Sequence, residues 1–200
     1  MKKWLFNPFE IIAGFTSLFI GLGIILLSSV ICYFGKVHLD GVLDLHAGSN
    51  VSWTMAFLEG IINWLTITLI LFITGLIISK SSIRFIDVAG TQALARFPYL
   101  LASLSAFMFP TEKIMHYFEW KFLQKGDAVE LGGMDVFLFG IQTLIMLACA
   151  IWIIALMYRA YSISSNVKGT RGIISFIVGL LVAEIISKII LTNLYNQFNS

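Results

Sequence analysis

Hydrophobic residues along this chain come in long runs separated by short polar connections. Four runs reach the roughly 20 residues that a helix needs to cross hydrocarbon: Ile11 to Phe34, Trp53 to Ile78, Asp135 to Tyr158 and Gly172 to Leu191. Helix is the expected form, because lipid offers no partner to an unpaired backbone group. A fifth run, Phe97 to about Thr111, is shorter, with Pro98 where a first helical turn tolerates it and Pro110, Glu112 and Lys113 at its far end. It spans if it starts near Thr91 and lets Arg96 snorkel to the headgroups; otherwise it is re-entrant. The expected fold is all-α: a polytopic transmembrane helical bundle of about five spans (11–34, 53–78, 91–111, 135–158 and 172–191) with short interfacial helices, in a single integral membrane domain over 1–200.

Composition agrees with the pattern, since 58% of the residues are hydrophobic and 12% charged. A net charge of +2, with its basic residues scattered, excludes nucleic acid as a partner. Their distribution is more informative. With five spans, Lys2, Lys3, Lys80, Arg84, Arg96, Arg159, Lys168 and Arg171 share one side. The other side holds Lys36, Lys113, Lys121 and Lys125 among Asp40, Asp44, Glu112, Glu119, Asp127, Glu130 and Asp135. The positive-inside rule then sets the N-terminus in the cytoplasm and the C-terminus outside, in the cytoplasmic membrane if the source is bacterial. The basic N-terminus resembles a signal peptide, but its apolar run is long and no small-x-small site follows, so a retained first span is expected. Cys32 and Cys149 fall at different depths, which argues for packing roles and against a disulfide.

Two connections carry patterns of their own. Ser79 to Arg96 spaces Ile83, Ile86 and Leu94 at helical intervals, as in a helix lying in the cytoplasmic interface, with Lys80, Arg84, Asp87, Gly90 and Arg96 as its candidate contact surface. Glu112 to Gln124 sets Tyr117, Phe118, Trp120 and Phe122 among charges, the composition of an aromatic belt. Simple anchoring explains either pattern as well as a functional surface does.

Ionisable residues inside spans usually face protein or a water-filled cavity. Glu59 and Asn63 lie one turn apart in the second span, and Glu184 and Lys188 share a face of the fifth. All four belong to the outer half of the membrane. A Glu59–Lys188 pair, with Glu184 joining, is the structural reading; an outward-facing polar pocket is the functional one. Between the first two spans, "HLDGVLDLH" places His38, Asp40, Asp44 and His46 within nine residues. In an extended segment all four project to one side, leaving Leu39, Leu43 and Leu45 on the other, while Asp40-Gly41 favours a turn. Imidazole and carboxylate ligands suit a divalent metal such as zinc, although a solvated loop needs no metal to explain them. No GxGxxG, P-loop, HExxH or GxSxG occurs, so no catalytic residues are assigned and an enzyme is not expected.

The segment "SKSSIRFIDVAGTQALARFPYLL", a polar turn, a basic amphipathic stretch with a central glycine and a proline opening the next span, resembles the membrane domain of the Yip1 family. "WLFNPFE" ahead of the first span and "DGVLDLH" followed by Trp53 and "NWL" at Asn63 to Leu65 are similar to its small bacterial members. The resemblance is strongest from Trp4 to Leu101 and fades after about Lys125. It implies five spans, a cytoplasmic N-terminus and no established chemistry; its eukaryotic relatives bind Rab-type GTPases in vesicle trafficking. Those relatives have a longer cytoplasmic region before the first span, so the GTPase is not carried over. The leading expectation is a non-catalytic membrane-organising or protein-interaction scaffold, whose partners are the lipid bilayer and a protein or a second copy of itself. A small transporter or channel subunit built on Glu59, Asn63, Glu184 and Lys188 is the first alternative. A metal-dependent site in the outer loop is the second.

Overall fold

A computed structural model describes residues 5–47, 52–107, 109 and 111–198. Lys2, Lys3, Trp4 and Pro110, which entered the charge and motif readings above, lie outside the described residues. A 3-10 turn at Pro8–Glu10 leads into helix α1 (Gly14–Gly35), which ends on Lys36 in the left-handed conformation at φ 51°. Helix α2 (Trp53–Ile78) starts on Ser52, whose side chain accepts from the Met55 N–H at 3.1 Å. Then come α3 (Phe85–Leu94), α4 (Phe97–Leu104), α5 (Thr111–Leu123), α6 (Gly133–Ser164) and α7 (Gly169–Phe198). Helices α1, α2, α6 and α7 are each long and apolar enough to cross a membrane.

The third segment differs from its expected bounds. Its helical run begins at Phe85, breaks at Ala95 and Arg96 where Pro98 enters the first turn of α4, and ends in a 3-10 turn at Ser105–Phe107. The run lies along α1 throughout. Gly90 sits on Gly14 at one end, and Ala106 and Phe107 sit on Gly35 at the other. At about 1.5 Å per residue, Phe85 to Phe107 matches the thickness of a hydrocarbon core. Together with α5, from which it is bent by 77°, it forms either a broken span or a re-entrant loop, so four to five segments can cross the membrane. Helices α1, α3–α4 and α7 run one way, and α2 and α6 the other.

Small residues explain how α3 came inside the bundle. A Cβ on Gly90 would lie 2.6 Å from the Gly14 carbonyl oxygen, and one on Gly21 would lie 2.5 Å from the Ala93 backbone, so the two helices touch backbone to backbone. Val88 to Leu94 are all buried, and Gln92 donates to the Met157 carbonyl of α6 at 3.0 Å. This corrects the expectation of a helix lying in the membrane interface. Gly90 and Arg96 are buried, Asp87 is half-buried, and only Lys80 and Arg84 of that proposed contact surface are exposed. An amphipathic repeat reports that one face is apolar; it does not report whether lipid or another helix covers that face.

Candidate functional site

The loop between α1 and α2 folds down onto the bundle. Strands β1 (Val37–His38) and β2 (His46–Ala47) form a two-residue antiparallel ladder that pairs Val37 with Ala47 and His38 with His46. A reversal centred on the bend at Gly41 to Leu43 replaces the single extended strand, so the four ligand-type residues do not project together. His38 turns inward and is 9% exposed. Asp40, Asp44 and His46 gather at the rim.

Glu59 is the centre of the inward half and has no exposed surface. His38 Nδ1 is 2.8 Å from its Oε1, the Tyr195 hydroxyl donates to the same oxygen, and the Leu39 N–H donates to Oε2 at 2.6 Å. One turn along α2, Asn63 donates to the Leu39 carbonyl at 2.5 Å. Both backbone groups of Leu39 are thus satisfied by two side chains on one face of α2, which is why a loop residue can be 3% exposed. A carboxylate so deep requires donors of this kind, because burial of an unpaired charge is strongly unfavourable.

A second set of bonds holds the turn. The Leu43 N–H donates to Glu184 at 2.9 Å, and the Tyr99 hydroxyl donates to the Val42 carbonyl. Gly41 lies flat on Glu184 and Lys188, where a side chain would collide with both. Lys36 donates to Glu112 at 2.8 Å, tying the loop to α5 and holding the Glu112 carboxyl below the usual carboxylate range.

The expected pairing of Glu59 with Lys188 is not formed. Lys188 lies 2.6 Å from Asp44 and 3.5 Å from Glu184, at the exposed rim. Depth placed the two charges at one level, but the loop comes between them and supplies each with a nearer partner. Tyr195 and Tyr99 were not singled out from the sequence. Their only signal was that a tyrosine hydroxyl in an apolar setting needs a partner.

At the rim, ligand atoms of Asp40, Asp44 and His46 lie within 4.8 Å of one another, and His46 Nδ1 is 3.2 Å from Asp40. The His46 ring stacks on His38 at 5.6 Å. This group could hold a metal ion; His38 belongs to Glu59 and is not part of it. Beside the rim, an apolar cavity of about 480 Å³ is bounded by Leu45, His46, Tyr99, Met115, Phe118 and Met146 among others. The chain matches no family model, no curated protein and no solved structure.

Proposed function

We propose that this is a Yip1-type integral membrane protein that works without chemistry, as a membrane-organising or protein-interaction scaffold, with its N-terminus in the cytoplasm and its loop and C-terminus outside. One observation carries the reading: the buried polar side chains that a transporter would need are committed to the loop. Both Glu59 oxygens, the Asn63 amide and Glu184 Oε2 bind loop groups. The neighbouring cavity is lined mainly by apolar side chains, which suits a lipid chain better than a polar solute. Exposed Lys80, Arg84, Arg159, Lys168 and Arg171 cluster at the opposite end, and that asymmetry supports the orientation. Basic residues there attract anionic headgroups at about 1 kcal/mol each.

Photo-cross-linkers at the exposed positions 81 and 82 in intact cells are expected to give discrete adducts that disappear when Lys80→Glu/Arg84→Glu is introduced beside them. No adduct, together with solute flux in reconstituted vesicles that is lost in Glu59→Gln, would overturn the scaffold reading in favour of a transporter.

The rim group favours a second reading, a zinc site with three protein ligands and an open fourth position, at Asp40, Asp44 and His46. The donor set fits, provided that Lys188 releases Asp44. Elemental analysis of purified protein against an Asp40→Ala/His46→Ala variant tests it, and zinc content equal in the two would end it.

A further inference from the structure

Arg96 is a charge without a counter-ion in the interior of the bundle. The residue is 3% exposed, and neither Nε nor Nη2 has a hydrogen-bond partner. The break between α3 and α4 sets it beside the midpoint of α1. There it lines a cavity of about 10 Å³ with Ile25, Ser28, Leu39, Gly60 and Tyr99. Ser28, also 3% exposed, contributes a hydroxyl that is likewise without a partner. The Tyr99 ring lies 5.7 Å from the guanidinium carbon, but its hydroxyl is taken by Val42. The nearby carboxylates are committed as well, Glu59 to His38, Leu39 and Tyr195, and Glu184 to Leu43 and Lys188. Among the described residues no ion pair joins Arg96 to either of them.

A guanidinium does not lose its proton in a protein, so this charge cannot be relieved by titration. It can be relieved by an anion. We propose that the cavity binds one small monovalent anion of the halide class, chloride in the cell, held by Nε–H and Nη2–H of Arg96 and the hydroxyl of Ser28. A water molecule would accept one or two of these hydrogen bonds and leave the charge uncompensated. The centre of a water-sized sphere can move through about 10 Å³ of this cavity, which leaves room for one monatomic anion slightly larger than water and none for a polyatomic anion such as phosphate. The ligand would bridge α1, through Ser28, to the break in the third segment, with the backbone of Gly60 closing the site from α2. This site is independent of the scaffold reading.

A ligand that binds only the folded state raises the melting temperature with the logarithm of its concentration. Protein in nanodiscs is therefore expected to melt at rising temperature as sodium chloride replaces sodium gluconate at constant ionic strength, with bromide acting like chloride. The dependence should vanish in Arg96→Gln and shift to severalfold higher chloride in Ser28→Ala, which covers the case in which Arg96→Gln does not fold. Crystals of the wild type grown in bromide should show an anomalous peak within hydrogen-bond distance of Arg96. Equal melting in chloride and gluconate, an anomalous map empty at Arg96, or a chloride effect that survives unchanged in Ser28→Ala would each overturn the proposal.

Discussion

Replacing Glu59 separates the loop's anchor from its rim. In Glu59→Gln the amide oxygen still accepts from the Leu39 N–H, now 2.6 Å from a carboxylate oxygen, while the new NH2 meets His38 Nδ1 and the Tyr195 hydroxyl. Both of those can switch to accepting, the histidine by changing tautomer. What is lost is the charge assistance. Hydrogen bonds to charged groups contribute about 1.5–3 kcal/mol against about 0.5–1.5 for neutral ones, so the loop is weakened by about 1–2 kcal/mol. Glu59→Met is harsher, because the Leu39 N–H has no alternative role and stays buried and unpaired, a further penalty of about 1–3 kcal/mol. Relief from burying a carboxylate offsets part of this, but truncating one partner of a buried charged set is destabilising on balance.

Hydrogen–deuterium exchange of the loop peptide over 36–47, on nanodisc-embedded protein, reads these values directly. About 1–2 kcal/mol corresponds to roughly 5- to 30-fold faster exchange at Leu39 in Glu59→Gln, and Glu59→Met should exceed about 30-fold. Lys188→Met is the control. Its bonds to Asp44 and Glu184 lie at a rim where Lys188 is 46% exposed, and exposed pairs contribute about 0–1 kcal/mol. Leu39 protection that is unchanged in both Glu59 variants of a folded protein, or reduced as much by Lys188→Met, would refute the anchoring role of Glu59.

Three further outcomes follow from the packing. Gly90→Val should lower the melting temperature by an amount equivalent to at least about 1–3 kcal/mol, because its Cβ would meet the Gly14 carbonyl oxygen at 2.6 Å, whereas Gly23→Ala, with nothing within 4 Å, should leave it unchanged or raise it. Tyr99→Phe leaves the buried Val42 carbonyl without its donor and should destabilise the protein by about 1–3 kcal/mol in thermal unfolding. In charge-swap expression trials, Asp44→Lys with Lys188→Asp should recover at least the yield of either single variant, while Glu59→Lys with Lys188→Glu should not, since Lys188 lies 2.6 Å from Asp44 and forms no pair with Glu59.

Legibility in the sequence followed the bilayer. The four long spans were readable because hydrocarbon demands an uninterrupted apolar stretch, and observed helices such as Trp53–Ile78 keep the expected limits. The third segment was blurred because it carries Thr91, Gln92 and Arg96, which are tolerable only where neighbouring helices enclose them; Thr91 bonds its own helix at Asp87 and Gln92 reaches Met157. Glu59, Asn63, Glu184 and Lys188 were readable as polar groups at one level. Their partners were not. His38 and His46 looked equivalent in the loop, yet the hairpin sends one to Glu59 and leaves the other at the rim beside Asp40.

The sequence by itself therefore determined that the chain is a helical membrane bundle and how far along each long helix its polar residues lie. A bilayer varies along one axis only, and distance along a helix measures that axis. Tertiary structure alone decided which way each residue faces and what it meets: Glu59 bound to the loop and not to Lys188, α3 inside the bundle and not on its surface, Arg96 at a cavity and not among headgroups. Hydrogen bonds and close backbone contacts act over about 3 Å and in particular directions, and no periodicity along one chain specifies the rotation and tilt that bring two helices and a loop to that distance.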